Sequence, residues 1–531
     1  MIKISDVSVP LDYDCKLLIK LAAKAAGAAP EAISRLEIAK KSVDARKKND
    51  IRFIMTFTAE MKNESAVLKR KNRSVTPFVP YSYPEPKKAA LNKRPVVIGL
   101  GPAGLFAALT LAKAGARPVV LERGYDVDSR KKAVCSFWQD RRLDPECNVQ
   151  FGEGGAGTFS DGKLTTGTKD KRIRCVFEEF VENGAPAEIL YLAKPHIGTD
   201  KLAETVKNIR KKIIALGGEV VFGAKFCDYQ VKNGSICAVV YEKDSELHSI
   251  ETNSVILAIG HSSRDTFTML NSKNVAMSKK HFAVGVRIEH LQSDLNRSMY
   301  GDFAEHKALG AADYKLAIHL PNGRSLYTFC MCPGGQVVAA ASEPFTVVTN
   351  GMSNFARDGR NANSALLVGV TPEDFPEDDP LAGMYFQRKA EQLAFKAGGS
   401  DYSAPVSLVG DFLKNKTSTA FGNVLPTYLP DTKFAMPDEY LPTFITDTMR
   451  LGIPEMARKI ACFGNEDAVL TGIESRSSSP VRIDRGENCQ SVSLKGLFPC
   501  GEGAGYAGGI VSAAVDGIRC AEALIESQNN R

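Results

Sequence analysis

The sequence contains no run of apolar residues long enough to cross a membrane. A membrane-spanning helix needs about eighteen or more consecutive apolar residues, and charged residues interrupt every apolar stretch well before that length. The first six residues, Met-Ile-Lys-Ile-Ser-Asp, lack the apolar core of a secretory signal peptide. We therefore expect a soluble protein of the cytoplasm with no membrane partner. Its twelve cysteines are then expected to be free thiols rather than a disulfide framework.

Internal repeats and nucleic-acid-binding motifs are also missing from the sequence. Residues 1–94 hold 20 Lys and Arg against 10 Asp and Glu, whereas the net charge of the whole chain is only +7. The basic character therefore belongs to the N-terminal segment. Because no aromatic residues are interleaved with these charges, we favour solvated helix and linker faces over a surface for nucleic acid or membrane. The sequence leaves the oligomeric state open.

The length of 531 residues suits two or three domains. Residues 1–90 are predicted to be a small basic α/β module, with helical runs at 17–22 and 32–38 and a strand at 51–58. The module ends in a semi-rigid linker that contains four prolines: Pro77, Pro80, Pro84 and Pro86. Residues 91–275 and 446–531 are predicted to form one nucleotide-binding domain, with 276–445 inserted between them as a substrate or cap domain.

A glycine-rich turn follows the first buried strand after the linker. Residues 96–104 read Val-Val-Ile-Gly-Leu-Gly-Pro-Ala-Gly. In this G-x-G-x-x-G pattern Gly99 permits a tight turn, Gly101 lets a pyrophosphate approach the backbone, and Gly104 lets helix and strand pack closely. Pro102 and Ala103 begin the helix, whose free N–H groups and partial positive charge favour phosphate. The pattern predicts a dinucleotide site.

Three later features bear on which dinucleotide binds. The predicted strand at 118–122 ends in Glu122, placed 18 positions after Gly104 to accept hydrogen bonds from a ribose diol. A second glycine-rich loop, which we expect to contact a flat ring system, contains Gly154, Gly155, Ala156, Gly157 and Thr158. A third segment leads into the last helix and contains Gly501, Glu502, Gly508, Gly509 and Ile510. An acidic side chain that can hold a sugar-alcohol chain and a helix N-terminus beside a reduced ring suit FAD better than NAD.

These motifs resemble the FAD-binding fold of the glutathione-reductase superfamily, in the branch of the p-hydroxybenzoate-hydroxylase-like enzymes. Their order is most similar to a family of bacterial FAD-dependent dehydrogenases with undefined substrates. The resemblance covers residues 91–531. It rests on the segments 122–124, 148–164, 255–263, 282–290, 329–335 and 474–480.

The resemblance implies roles for individual residues. Glu122 would bind the adenosine ribose, Arg130 would reach the pyrophosphate, and Phe226 would meet the adenine through its backbone. Arg123, next to Glu122, is a further cofactor-binding candidate. The strand that ends at Gly260 would run beneath the cofactor. Glu502 stands where the superfamily more often has Asp, and its side chain, one methylene longer, would contact the ribitol chain.

Three residues are candidates for the chemistry. His261 follows the strand end at Gly260, where it either exchanges a proton near the cofactor or only caps a turn. Cys330 and Cys332 would share one face of a strand at 326–332, because side chains alternate along a strand. They form either a redox-active pair or two structural thiols, and we favour the second reading because C-x-C is a strained disulfide spacing. No metal site is expected, since neither a histidine nor a second cysteine pair lies nearby in the sequence.

No separate nicotinamide-binding domain is predicted beside the segments assigned to FAD, so any NAD(P)H is expected to bind only transiently as an electron donor or to be replaced by another donor. The predicted fold is α/β: a Rossmann-like FAD-binding domain, with a parallel sheet and helices, an inserted mixed α+β substrate domain and the small N-terminal module. The leading hypothesis is an FAD-dependent oxidoreductase that exchanges hydride with an unknown small molecule. A flavin monooxygenase, and a flavoprotein that binds or modifies RNA or a protein partner through its basic module, remain alternatives.

Overall fold

The N-terminal residues form a small sheet in a computed structural model that describes residues 1–70 and 72–529. Its strand order is Ile33–Asp44, Arg52–Met61, Ile2–Val9, Val75–Pro77, with neighbouring strands antiparallel. The helices Cys15–Ala26 and Glu64–Lys69 complete the module.

The helix predicted at 32–38 is wrong, since these residues belong to the strand Ile33–Asp44. Half-buried Leu36 and Ile38 alternate with exposed Arg35 and Glu37, and this period of two fits the antiparallel partner strand.

The predicted α/β class is confirmed by a five-stranded sheet in which every pairing is parallel. Its strand order is Leu497–Pro499, Val255–Leu257, Val96–Ile98, Val119–Glu122, Glu219–Phe222. The helices of this region are Pro102–Lys113, Val127–Asp140, Arg172–Glu182, Thr199–Ala215 and Ile510–Asn529. The three central strands are fully buried, as expected for a sheet covered on both faces.

The close packing around the first strand depends on glycine. A Cβ on Gly104 would lie 1.9 Å from the carbonyl oxygen of Gly99, and a Cβ on Gly517 would lie 2.1 Å from that of Ala103. Both distances are impossible for a side chain, so the helix Pro102–Lys113 can approach the strand end and the last helix only with glycine at these positions.

A seven-stranded mixed sheet forms the second large part of the described chain. Its strand order is Ala317–His319, Ser325–Cys332, Asn361–Val370, Phe282–Leu291, Val469–Glu474, Ala404–Leu408, Thr432–Phe434. Only the last pair is parallel. The helices of this region are Gln292–Tyr300, Ala382–Ala397, Val409–Leu413 and Thr443–Lys459.

The predicted domain boundary at 446 differs from this topology. The strand Val469–Glu474 pairs with Phe282–Leu291 in the mixed sheet, and the chain rejoins the parallel sheet only at Leu497–Pro499. The reason is that Val469–Glu474 buries all its residues within the mixed sheet, where it carries Glu474 to Arg287.

Smaller elements complete the architecture of the described residues. An antiparallel sheet has the order Glu246–Glu251, Ser235–Lys243, Lys225–Lys232, and is followed by the helix Arg264–Ser272. Two strand pairs are Met277–Lys279 with Val481–Ile483, and Gln336–Ala339 with Thr349–Met352. Within 1–70 and 72–529, no helix has both the length and the apolar character needed to cross a bilayer.

Candidate functional site

A cavity of about 630 Å³ lies where the carboxyl ends of the parallel strands face the mixed sheet. The parallel sheet contributes Ile98, Leu121 and Ala258 to its wall, and the mixed sheet contributes Thr328 and Glu474. Ligands of open parallel sheets bind at this edge, and the volume lies in the range of small-molecule sites, about 300–1,000 Å³.

Glycine backbone forms one wall of the cavity. A Cβ on Gly155 would lie 2.9 Å from the Cα of Gly101, so the two predicted glycine loops touch each other at these residues. At Gly260, Gly508 and Gly509, by contrast, an added Cβ would meet no described atom within 4 Å. The first two glycines bring the loops together, and the other three leave room for a bound molecule against the backbone.

Glu122 is fixed at the edge of this wall. Its carboxylate accepts hydrogen bonds from the backbone N–H groups of Leu100 (2.7 Å), Gly124 (2.9 Å) and Gly152 (2.9 Å). A carboxylate offers about four acceptor positions, so it keeps capacity for a hydroxyl group in the cavity that it lines.

Most of the predicted cofactor residues meet at this cavity. Those that line it are Gly99, Gly101, Pro102, Ala103, Glu122, Arg123, Gly155, Ala156, Gly157, Phe226, Gly260, Glu502, Gly508, Gly509 and Ile510. Arg123 is held there by ion pairs with Glu146 (2.6 Å) and Asp265 (2.9 Å).

Four other predicted residues lie behind the wall that the described residues form. Gly104 packs against Gly99. Gly154 donates its N–H to the carbonyl of Leu100, Thr158 donates its hydroxyl to that of Glu153, and Gly501 donates its N–H to Asp516. These four residues shape the cavity without facing it.

Arg130 differs most from its predicted role. It is fully buried and is not among the described residues that line the cavity. Its guanidinium donates to the backbone carbonyls of Asn148 (2.9 Å), Val149 (3.0 Å) and Glu153 (2.7 Å), among others. The predicted contact with a pyrophosphate is therefore corrected: Arg130 holds the glycine loop from beneath, because its planar group matches several carbonyls at once.

His261 and Glu502 lie together in the cavity, with His261 Nε2 3.9 Å from Glu502 Oε1. Burial and the nearby cations of Arg476 and Arg264 lower the pKa of His261 to about 3, so its ring is neutral at pH 7. Its Nδ1 is 2.9 Å from the hydroxyl of Ser262. Burial raises the pKa of Glu502 to about 7. Glu502, rather than His261, is therefore the group that changes its protonation near neutral pH.

The strand with the two cysteines does not alternate as predicted. A bulge separates Phe329 from Cys332, and Cys330 has a left-handed backbone with φ of 44°. Cys330 is half-buried and lines the cavity, whereas Cys332 is fully buried behind it. The Sγ atom of Cys332 turns back to donate to the carbonyl of Cys330 at 3.3 Å. The bulge, and not alternation, brings the Cys332 side chain back against the backbone of Cys330.

A buried arginine supports this segment. Arg287 is fully buried, and its guanidinium forms an ion pair with Glu474 (3.0 Å) and donates to Asn363 (2.7 Å) and to the carbonyl of Cys330 (3.1 Å). Glu474 faces the cavity. Arg287 and Glu474 lie in two of the family motifs, and nothing in either motif shows that they meet.

A second buried ion cluster adjoins His261. The fully buried carboxylate of Glu391 accepts from Arg264 (2.8 Å), Arg476 (3.0 Å) and the hydroxyl of Ser475 (2.6 Å). These cations hold the pKa of Glu391 far below its usual range although burial opposes this. Arg476 also lines the cavity, so its ion-paired guanidinium can contact a ligand bound there.

A thiol cluster lies under the third glycine segment, where the sequence predicted no metal site. Ligand atoms of Cys500, Asp516 and Cys520 lie within 4.8 Å of one another. The guanidinium of Arg485, however, pairs with Asp516 at 2.6 Å and donates to the Sγ atom of Cys520 at 3.1 Å. This fixed positive charge opposes binding of a cation. Its evident role is to hold Asp516 against the Gly501 N–H.

Comparisons with known proteins place this site in a protein family. Residues 281–477, most of the mixed sheet, match the family described as "FAD-dependent protein, C-terminal domain-like", and residues 1–60 match a domain of unknown function, DUF8436. The first match supports a flavoprotein family, as the sequence motifs suggested. The glutathione-reductase superfamily remains a prediction.

The solved structures that match this chain are distant from it. The flavin-dependent brominase Bmp2 is 14% identical, with a TM-score of 0.39, and the match covers 83% of this chain and 80% of that one. CtdE in complex with FAD is 12% identical with a TM-score of 0.31, and the match covers 81% of this chain and 82% of that one. The 3-ketosteroid-delta4-(5alpha)-dehydrogenase from Rhodococcus jostii RHA1 is 12% identical with a TM-score of 0.35, and the match covers 84% of this chain and 100% of that one. With TM-scores below 0.5, these likenesses establish neither the fold nor the chemistry of this chain.

A much closer relative is an uncharacterised protein of Clostridium beijerinckii. It is 50% identical over 529 residues, which are 99% of this chain and 98% of the relative. Identity at this level over both full lengths is incompatible with two unrelated folds. The chain therefore belongs to the same family as the Clostridium beijerinckii protein, and within it residues 281–477 form a region similar to the C-terminal domain of FAD-dependent proteins.

Proposed function

We propose that the protein is an FAD-dependent oxidoreductase that acts on a small molecule in the cavity between the parallel and mixed sheets. The observation that carries the proposal is the shape of the cavity wall. Gly101 and Gly155 bring two loops into contact, and Gly260, Gly508 and Gly509 leave open space against the backbone. A wall of this kind fits a flat, extended dinucleotide, and the family match of residues 281–477 to FAD-dependent proteins favours FAD over NAD.

The residues of the wall suit the successive parts of FAD. Glu122 has a free acceptor position for the adenosine ribose, and Phe226 would lie at the adenine. Gly101 precedes the helix Pro102–Lys113, whose first N–H groups favour a pyrophosphate. At the other end of the chain, Ile510 begins the last helix at the cavity, so its N-terminus favours negative charge on a reduced ring.

The remaining wall would receive the substrate. Bound flavin supplies two-electron hydride chemistry, and this chain supplies charged and proton-carrying side chains beside it. Glu502 titrates near neutral pH and can hold or release a proton. Neutral His261 can orient a polar group, and the guanidinium of Arg476 can attract an anionic one. NAD(P)H is proposed only as a transient electron donor.

The test is whether the purified protein carries FAD at this wall. We expect a yellow protein that releases FAD, and not FMN, when it is denatured and its cofactor is separated by chromatography. Gly101→Val would place a side chain into the cavity while its backbone, with φ of −71°, tolerates valine. We expect that variant to fold and to lose at least tenfold in FAD affinity.

The matched control is Gly369→Val. Gly369 lies in a strand of the mixed sheet, and a Cβ there meets no described atom within 4 Å, so this variant should keep its FAD. If the wild-type protein neither contains FAD nor acquires it on refolding with FAD, the proposal is wrong. Equal FAD affinity of the two variants would show that FAD does not bind at this wall.

A further inference from the structure

We propose that Cys330 and Cys332 form a thiol–disulfide couple that exchanges two electrons with the flavin. The inference rests on the proposed FAD site and extends it, because it adds a second redox centre that can hold two electrons. It also reverses the preference for structural thiols that the sequence alone favoured. Three features of the structure support it: the bulge, the division of exposure between the two thiols, and the cations beside them.

The bulge removes the main objection to a disulfide between residues two apart. In a regular strand such residues are about 6.6 Å apart, near the upper limit of about 6.8 Å for the Cα atoms of a disulfide, and the chain between them is stiff. Here the left-handed backbone of Cys330 breaks the strand, and the Sγ atom of Cys332 folds back to 3.3 Å from the Cys330 carbonyl oxygen. Unusual backbone of this kind in a non-glycine residue is concentrated at functional sites.

The two thiols differ in access. Cys330 lines the cavity that we assign to the flavin and substrate, whereas Cys332 is fully buried behind it. This is the arrangement of an exchanging thiol and a resolving thiol: Cys330 can react with a partner in the cavity, and Cys332 can then close the disulfide. Burial of Cys332 also protects it from oxidants in bulk solvent.

Two cations lie beside the pair, one of them ion-paired with Glu474. The guanidinium of Arg287 donates to the carbonyl of Cys330 at 3.1 Å, and the ammonium of Lys163 donates to the carbonyl of Met331. The neighbouring Cys332 thiol, and after it the charges of Arg287 and Lys163, lower the pKa of Cys330 below its usual range. The thiolate, which is the reactive form of cysteine, is thus favoured at the cavity.

The electrons and protons of the step balance without a further reagent. Starting from two thiols, oxidation breaks two S–H bonds, forms one S–S bond and releases two electrons and two protons. If Cys330 is already a thiolate, one of these protons has been released to solvent beforehand. Oxidised flavin accepts the two electrons and takes up protons from the same pool, and the reverse step restores both thiols.

The experiment counts electrons and thiols in the holoprotein. Air-oxidised protein is titrated with dithionite under anaerobic conditions, quenched with acid at each point and alkylated with N-ethylmaleimide. Trypsin then releases residues 325–357, a peptide whose only cysteines are Cys330 and Cys332. We expect full reduction to consume four electrons per flavin, and the peptide to pass from no alkyl groups to two as the titration proceeds.

Variants separate the two thiols. Cys330→Ser and Cys332→Ser should each reduce the uptake twofold, to two electrons per flavin, while Cys135→Ser, at an exposed position far along the sequence, should leave it at four. If either serine variant fails to fold, the alkylation of the wild-type peptide still decides. A wild-type peptide that carries two alkyl groups at every point while the flavin is reduced by two electrons would overturn the couple.

Failure of this inference is distinct from failure of the proposed function. Protein that contains FAD but takes up only two electrons would refute the couple and leave the FAD site intact. Protein without FAD would refute the proposed function, and with it the exchange with flavin, even if the peptide formed a disulfide.

Discussion

The two walls of the cavity are built from different materials. The wall at the parallel sheet consists mainly of backbone: Gly101, Gly155 and Gly260 expose main-chain atoms, and even Glu122 is held by three backbone N–H groups. The wall at the mixed sheet consists of buried charges such as Glu474 and Arg476. A wall of backbone suits a cofactor that is the same in every member of a family. Charged side chains can be exchanged by mutation, so they suit substrates that differ between members.

Because the wall at the mixed sheet depends on buried ion pairs, loss of one charge there should cause the largest decrease in stability. Glu391→Gln would remove the fully buried carboxylate that pairs with Arg264 and Arg476 and leave them only the partly exposed Glu343. Loss of one partner of a buried ion pair costs about 3–5 kcal/mol, and we expect a decrease of this size in the free energy of unfolding measured with urea. Glu377→Gln, at an exposed position, should change it by less than about 0.5 kcal/mol. Equal effects of the two variants would contradict a structural role of the cluster.

The backbone wall should depend on Arg130 although Arg130 does not face the cavity. Arg130→Lys keeps the charge, but an ammonium cannot reach the carbonyls of Asn148, Val149 and Glu153 together. We expect a loss of about 2–3 kcal/mol in stability, since hydrogen bonds to charged groups contribute about 1.5–3 kcal/mol each, and a lower content of FAD in the purified protein. Arg46→Lys, at an exposed position, is the control. An unchanged FAD content in Arg130→Lys would show that the loop keeps its shape without the guanidinium.

The smallest expected effect is at Glu502, where the two walls meet. Because burial raises its pKa from 4.5 to about 7, the folded protein binds a proton that the unfolded chain releases. The stability contributed by this proton is present below pH 4.5 and is lost as the pH rises to about 7.

In flavin-free protein, Glu502→Gln should therefore be more stable than wild type at pH 8. The rise in pKa corresponds to at most about 3 kcal/mol, and because the Glu502 side chain is 27% exposed we expect about 1–2 kcal/mol. This gain should shrink toward pH 5. The control is Glu487→Gln, at an exposed position, which should show no such trend. A gain that is independent of pH would mean that Glu502 keeps an ordinary pKa.

The same division explains what the sequence could predict. A wall of backbone demands glycine at fixed spacing, so Gly99, Gly101 and Gly104 were visible as a motif, and the strand Val119–Glu122 that follows them is confirmed. A wall of charges is assembled from distant segments: Arg264, Glu391 and Arg476 come from three parts of the chain. No local pattern shows that such residues meet.

Local rules also failed where tertiary contacts decide the backbone. The alternation expected for Cys330 and Cys332 is broken by a bulge, and the segment 32–38 is a strand because a neighbouring strand pairs with it. The family resemblance implies that Arg130 reaches a pyrophosphate, but here carbonyls of the glycine loop after its helix accept its hydrogen bonds. In each case the residues that determine the backbone or the contact lie outside the short segment on which the prediction is based.

A crystal structure of the protein with FAD tests the central claim most directly. The account predicts adenosine density at Glu122, the pyrophosphate at Gly101 and Gly155, and the ring system on the side of Glu502 and Cys330. FAD bound elsewhere, or bound with its ring system at Glu122, would contradict it.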